Sequence, residues 1–286
     1  MKGFTKKIVS VVLALTLVIG LSATTFGATW SHYFAVSDAG WYEGVDCLSF
    51  TESATGFTAN INKIGWQGVW GGRVYKKISI TKGKKYVISF KMKSTKIDKY
   101  VYVKVGSDQA LAHSFWVFLP RGKNVTTTEV FTAACTTNDE LSFGMGGEFG
   151  DRASEPTDGD ASVRYAVFKK QYGKKAETVL MSKDCKPGDS ASPTVISMSN
   201  FKLTSAPGKV SLKKPKAKGK KKVKVSWKKM AGAEKYEVRV GKAKKTTTKT
   251  SITMKAKKKG KQVVKVRAIV GSYKAPWSKS KKVKVK

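Results

Sequence analysis

Apolar side chains recur at every second position through much of this chain, and that alternation predicts strands rather than helices. Tyr86, Ile88, Phe90 and Met92 alternate with Val87, Ser89, Lys91 and Lys93, the mark of a strand with one face buried and one face free. A Lys-Gly-Lys turn, Lys82–Lys84, separates it from another strand-like run, Val74–Ile80. Val101, Val103 and Val105 alternate with Tyr102 and Lys104, and Phe115, Val117 and Leu119 with Trp116 and Phe118. Phe131 follows a threonine run, Leu141 and Phe143 precede a Gly-Met-Gly-Gly turn, and Ile196, Met198, Phe201 and Leu203 form a closing strand. No convincing helical period is found between Ala28 and Ala206. Short alternating strands split by Gly, Asn, Asp and Thr clusters predict a β-sandwich or barrel. Residues Phe149–Pro193 fit least well. They open acidic and polar (Asp151, Glu155, Asp158, Asp160), hold one strand-like piece, Ser162–Phe168, and read as a long excursion.

The first residues break the pattern. Lys2, Lys6 and Lys7 precede the apolar run Ile8–Leu21, and small residues follow from Ser22 to Ala28. This predicts a signal peptide over residues 1–27, cut just before Ala28. The apolar run is roughly 14 residues, short of the ~20 that span a bilayer. The expected mature protein is secreted or held at the cell surface by non-covalent contacts, with no transmembrane segment.

Charge divides what remains. The formal net charge is +37. From Pro207 onward there are 30 Lys and Arg against Glu234 and Glu237, a surplus of 28; Ala28–Ala206 has 23 against 17, a surplus of 6. Two domains are expected, 28–206 and 207–286, joined by the turn-prone Thr204–Gly208. Three readings of the lysines stay open: a solvated surface, a nucleic-acid footprint, or an anchor to anionic cell-wall polymers. Nucleic acid is set aside, since an exported chain here carries no recognition motif.

Particular residues resemble known families. Trp70-Gly-Gly-Arg-Val74, the turn Thr81–Tyr86, the strand Val87–Ser94, the Val101/Val103/Val105 strand, Leu141–Gly144 and the closing Ile196–Leu203 are similar to carbohydrate-binding modules of the CBM4/CBM9/CBM22 type. The likeness covers about Trp30–Leu203 and implies a jelly-roll β-sandwich that binds a poly- or oligosaccharide. One departure is Ser199-Asn200, where the family usually carries an Asp pair near a structural calcium, so calcium stays open. The last residues resemble a lysine-rich fibronectin type III domain of exported Gram-positive proteins. Val223–Trp227, Gly232–Val240, Ile252–Met254, Val264–Ala268 and Trp277-Ser278 carry that resemblance. It implies a smaller immunoglobulin-like β-sandwich. Together the expected fold class is all-β, a jelly-roll sandwich followed by a fibronectin type III sandwich.

Candidate chemistry centres on aromatics. Sugar rings present flat C–H faces that stack on Trp and Tyr, with a few polar groups to meet the hydroxyls. With Val74, Ile78 and Ile80 toward the core, Arg73 and Tyr75 point the other way, as do Tyr102 and Trp116 on their own strands. The expected carbohydrate-binding set is Trp66, Gln67, Trp70, Arg73, Tyr75, Tyr102 and Trp116. The competing expectation is that some of these rings fill the core or pack under the 149–193 excursion. Cys47, Cys135 and Cys185 lack metal spacing; one disulfide with one free thiol, or buried thiols, are both open. With only His32 and His113, a Cys/His zinc site is not expected, and Asp151–Asp160 lack the EF-hand spacing. No cofactor is expected. Glu129 and Glu148 are not paired by any motif, and no Gly-x-Ser-x-Gly elbow occurs. Arg164, Tyr165 and Tyr172 are residue types that sandwich-fold polysaccharide lyases use, without the fuller motifs. The expected function is a non-catalytic carbohydrate-binding protein. The alternative is a structural or adhesive cell-wall protein without sugar recognition, and a lyase or hydrolase is the least favoured.

Overall fold

The structure, a computed structural model, describes residues 29–37, 40–43, 48–61, 72–145, 159–173 and 194–286. The first strands are β1 (Ser31–Ser37), β2 (Gly40–Glu43), β3 (Leu48–Ser53), β4 (Gly56–Ile61) and β5 (Gly72–Lys77). Then come β6 (Lys85–Ser94), β7 (Lys99–Val105), β8 (His113–Leu119), β9 (Asn124–Thr132) and β10 (Glu140–Gly144). Helix α1 (Gly159–Tyr172) and β11 (Thr194–Ser205) follow. These strands form a six-stranded sheet, β2-β1-β5-β10-β7-β8, and a five-stranded sheet, β3-β4-β11-β6-β9, with antiparallel pairing throughout.

The predicted alternation sets the core between the sheets. Val74, Ile78, Ile80, Tyr86, Ile88, Phe90, Met92, Val101, Val103, Val105, Phe115, Val117, Leu119, Leu141 and Phe143 all lie in it. Trp30 closes it, its ring edge-on to Phe57, Phe143 and Phe201 at 5.6, 6.0 and 5.1 Å. Each fully buried ring or branched side chain of this kind contributes about 1.5–3 kcal/mol relative to exposure. Lys76 also turns inward, its ammonium 4.9 Å from the Trp30 ring centroid. Burial lowers its pKa, and the Glu52 carboxylate partly offsets that.

Three features go beyond the expected alternation. First, 162–168 is helix, not strand, because Tyr165, Phe168 and Tyr172 recur at helical spacing on one face. Lys169 and Lys170 suit the C-terminal dipole, and Gly173, at φ 57°, ends the helix by donating to the Lys169 carbonyl. Second, the closing strand changes parity. Ile196 and Met198 are buried, and so are Phe201 and Leu203, because a bulge at Ser199–Lys202 with Asn200 at φ 56° restores the inward face. Third, β6 has no free face along its first half: Val87 is fully buried and Ser89 nearly so.

The cover over that half of β6 comes from the second sandwich. Its strands are β12 (Lys216–Ala217), β13 (Lys222–Ser226), β14 (Lys235–Val240), β15 (Ala243–Thr247), β16 (Ser251–Lys255), β17 (Gly260–Val270), β18 (Tyr273–Lys274) and β19 (Lys281–Val285). A sheet β12-β13-β16 faces a sheet β15-β14-β17-β18, with β19 also paired to β17. Val223, Val225, Trp227, Tyr236, Val238, Val264 and Val266 fill the space between. The turn after β17 rests on the first sandwich. Ser272 N donates to Thr128 Oγ1, and Gly271 N donates to Glu234, which also holds Lys202 of β11. Thr128 is the register partner of Ser89, which places this contact over the buried half of β6.

Cys135 is a half-buried free thiol, whereas Cys47 and Cys185 lie outside the described residues. Among the described residues, no three His, Cys, Asp or Glu side chains gather as a metal site. No described helix is long and apolar enough to cross a membrane.

Candidate functional site

The outer face of the six-stranded sheet brings several of the sequence-predicted residues into line. Direct register runs Tyr33 to Arg73 to Gly144 to Tyr102 to Trp116 across β1, β5, β10, β7 and β8. A parallel row runs Ser31 to Tyr75 to Ser142 to Lys104 to Ser114. Arg73, Tyr75, Tyr102 and Trp116 therefore share one face, opposite the core, as strand parity requires.

Helix α1 then divides that face. Tyr102 and Trp116 are only 2% and 3% exposed, their rings 4.9 Å apart under Tyr165 and Phe168. Phe168 stands edge-on to Trp116 at 5.6 Å and to Tyr100 at 5.2 Å. Beta8 is the edge strand of its sheet, so its outward backbone groups need partners. Gln171 supplies them: its Oε1 accepts from Trp116 N at 2.6 Å and its Nε2 donates to Trp116 O at 3.0 Å. Trp116 Nε1 donates to the Arg164 carbonyl at 3.0 Å. The Tyr172 hydroxyl donates toward Trp116 O at 3.4 Å. Burial pushes that phenol up to about 12, against a smaller opposing pull from the Phe118 backbone. The expectation of exposed stacking rings at Tyr102 and Trp116 is thus corrected. Parity puts them on the outer face, and a segment from far along the chain covers them. Arg164, Tyr165 and Tyr172 serve that cover.

Beyond the helix, the same face holds a partly exposed ledge around Arg73, with Lys104 and Ser142 buried beside it. The Arg73 guanidinium carbon lies 4.8 Å from the Tyr75 ring centroid and 6.0 Å from that of Tyr33. Glu140 fixes it through a 3.1 Å ion pair, with the Arg73 side chain still 33% exposed. Beneath, Ser142 is fully buried and its Oγ has no hydrogen-bond partner among the described residues. Lys104, beside Ser142 in register, pairs with Asp108 at 2.9 Å. The arrangement offers aromatic faces and a guanidinium with donors to spare. Trp66, Gln67 and Trp70 lie outside the described residues, in the chain just before β5.

Sequence reasoning missed Tyr33, Glu140 and Ser142. The signal was present, since Glu140 and Ser142 alternate with Leu141 and Phe143, and Tyr33 falls two residues after Ser31 on β1. The carboxylates elsewhere hold neighbours in place: Glu52 accepts from Trp30 N, Glu129 shares a hydrogen bond with His113, and Glu237 accepts from Arg267.

No protein-family model matches the chain, and no curated protein matches it. Among solved structures, one described by the words "CBM4 structure and function" is 15% identical, spans 62% of this chain and 86% of its own, and gives a TM-score of 0.37. The N-terminal cellulose-binding domain of Cellulomonas fimi β-1,4-glucanase C is 14% identical over 62% of this chain and 88% of its own, TM-score 0.35. The adhesin domain of Epf from Streptococcus pyogenes is 14% identical over 91% of both chains, TM-score 0.31.

Proposed function

We propose that the protein is an exported, non-catalytic carbohydrate-binding protein. In this reading the first sandwich holds a poly- or oligosaccharide on the outer face of its six-stranded sheet. The basic second sandwich, read as a fibronectin type III-like module from its strand order and its core Trp227, spaces the first or attaches it to the cell wall. The observation that carries the reading is the ledge of Tyr33, Arg73 and Tyr75, with Glu140 locking the guanidinium beside a tyrosine ring. A sugar would stack on the rings while Arg73 met its hydroxyls. Trp66, Gln67 and Trp70, which precede β5 in the chain, stay in the proposed binding set. Tyr102 and Trp116 would stiffen the row from beneath α1. The commitment of Glu52, Glu129, Glu140 and Glu237 to structural partners supports the non-catalytic part of the reading.

Affinity electrophoresis of the full chain through gels carrying soluble glucans, xylans or mannans tests this. Retardation is expected, and Arg73→Ala or Tyr75→Ala should weaken it by about tenfold, roughly 1.4 kcal/mol. Absence of retardation on every glycan, or unchanged retardation in both variants with unchanged melting temperature, overturns the site. A second reading, an adhesive cell-wall protein without sugar recognition, is favoured by one observation: α1 closes the aromatic half of the face. Retention on cell walls with no glycan binding selects it.

A further inference from the structure

Both outer faces of the second sandwich are basic: across β15, β14 and β17 Arg239 stands opposite Lys244 and Lys265, and the faces differ in the acid and the aromatic ring that accompany the charge. Glu234 and Glu237 are the acids of residues 207–286, and both are committed. Glu234 holds Lys202 and the Gly271 amide at the contact with the first sandwich. Glu237 accepts two bonds from Arg267, at 2.9 and 2.6 Å, on the outer face of the β14–β17 sheet, and Arg267 in turn lies 4.3 Å from the Trp277 ring centroid. The outer face of β12-β13-β16 has no acid at all. There Lys216 stands directly opposite Lys224, and Lys222 directly opposite Lys255. Val223, Val225 and Met254 point the other way into the core, and all four lysines are exposed. Thr253, Ser226 and Ser251 complete the face with hydroxyls, and no aromatic ring lies among them.

Directly opposed residues on neighbouring strands are about 4.5–5.5 Å apart at Cα, and like charges there destabilise the sheet. A face built for solubility alone mixes both signs. Each of these four lysines has another as a direct cross-strand or i,i+2 neighbour, within about one Debye length, ~8 Å at physiological salt, and together they make a concentrated field. Lysine is a mobile point charge that suits phosphate oxygens without demanding planar geometry. The missing aromatics remove the stacking surface that single-stranded nucleic acid uses.

We propose that the β12-β13-β16 face is a docking surface for an extended polymer of repeating phosphate groups lacking bases. This rests on the reading of the second sandwich as an attachment module and specifies its face and its ligand chemistry. The full chain is tested for binding long-chain inorganic polyphosphate. A variant with Lys222, Lys224 and Lys255 changed to Gln is compared with a charge-matched control carrying Lys244→Gln, Lys265→Gln and Lys282→Gln. The first should lose about tenfold in affinity and the control no more than about threefold, with wild-type binding falling steeply as salt rises. Equal losses in the two variants overturn the assignment to this face while leaving attachment by bulk charge intact. No retention of polyphosphate by the wild-type chain overturns both the face and the attachment reading. Equal or tighter binding of single-stranded DNA or polygalacturonate overturns the ligand chemistry. Neutral-glycan retardation in the same variants should be unchanged, which keeps this outcome separate from that of the Arg73 ledge.

Discussion

At the scale of single residues, Asn200 shows how one backbone conformation decides the side of a sheet on which several side chains fall. Its φ of 56° creates the bulge that lets Met198 and Phe201 both face the core, although they are three apart. Asparagine tolerates the left-handed region, whereas a β-branched residue does not. Asn200→Val should therefore cost about 1–2 kcal/mol in thermal or urea unfolding, and Asn200→Gly should stay within a few tenths. Equal stability of the Val and Gly variants would remove the bulge as the cause. Arg73 makes a similar point about function. Strand parity placed it outward, but its coupling to Glu140, 67 residues away, arises only when β5 and β10 pair.

At the scale of elements, α1 is the part that sequence patterning handled worst. Ser162–Phe168 reads as alternating over a short window, and a helix of 14 residues shows itself only when Tyr165, Phe168 and Tyr172 are taken together. The helix joins the first sandwich through its own small cluster with Tyr102 and Trp116, separate from the main core. Loss of its central ring should loosen the helix and leave the sandwich folded. Phe168→Ala is expected to raise hydrogen exchange in the 113–119 and 159–173 segments, because the Trp116 amide relies on Gln171. Protection in the remaining strands should hold. Unchanged exchange in both segments would mean that the helix is held elsewhere.

For the molecule as a whole, the two sandwiches meet at a joint. Glu234 is its electrostatic centre. Burial alone would raise its pKa, but hydrogen bonds from Lys202 and the Gly271 amide, with the nearby charges of Lys202 and Lys235, lower it overall. A carboxylate with a depressed folded pKa contributes stability that is present above its unfolded value and lost as pH falls through the folded one. The joint should therefore hold at neutral pH and loosen progressively as pH falls below 4.5, the ordinary value for this carboxyl. Limited proteolysis with an acid-active protease around residues 204–209 should accelerate there, and Glu234→Gln should cut faster already at neutral pH. A cleavage rate independent of both would show that the joint is held by packing alone. A methyl at Gly271 would sit 2.3 Å from Thr128 Oγ1, so the close approach is steric as well as electrostatic.

The amino-acid sequence by itself determined the all-β character, the core-facing strand positions from Val74 to Leu203, the division of charge between the two halves, and the shared outward parity of Arg73, Tyr75, Tyr102 and Trp116. These follow from local periodicity and composition, in which each residue is judged against neighbours two positions away. What only the tertiary structure decided is which outward positions remain open. Tyr102 and Trp116 are closed by a helix about 50 residues further along the chain, Val87 and Ser89 lie under the joint with the second sandwich, and Arg73 is fastened by Glu140. The physical reason is that strand periodicity sets the direction of a side chain, while exposure depends on what distant segments bring against that face.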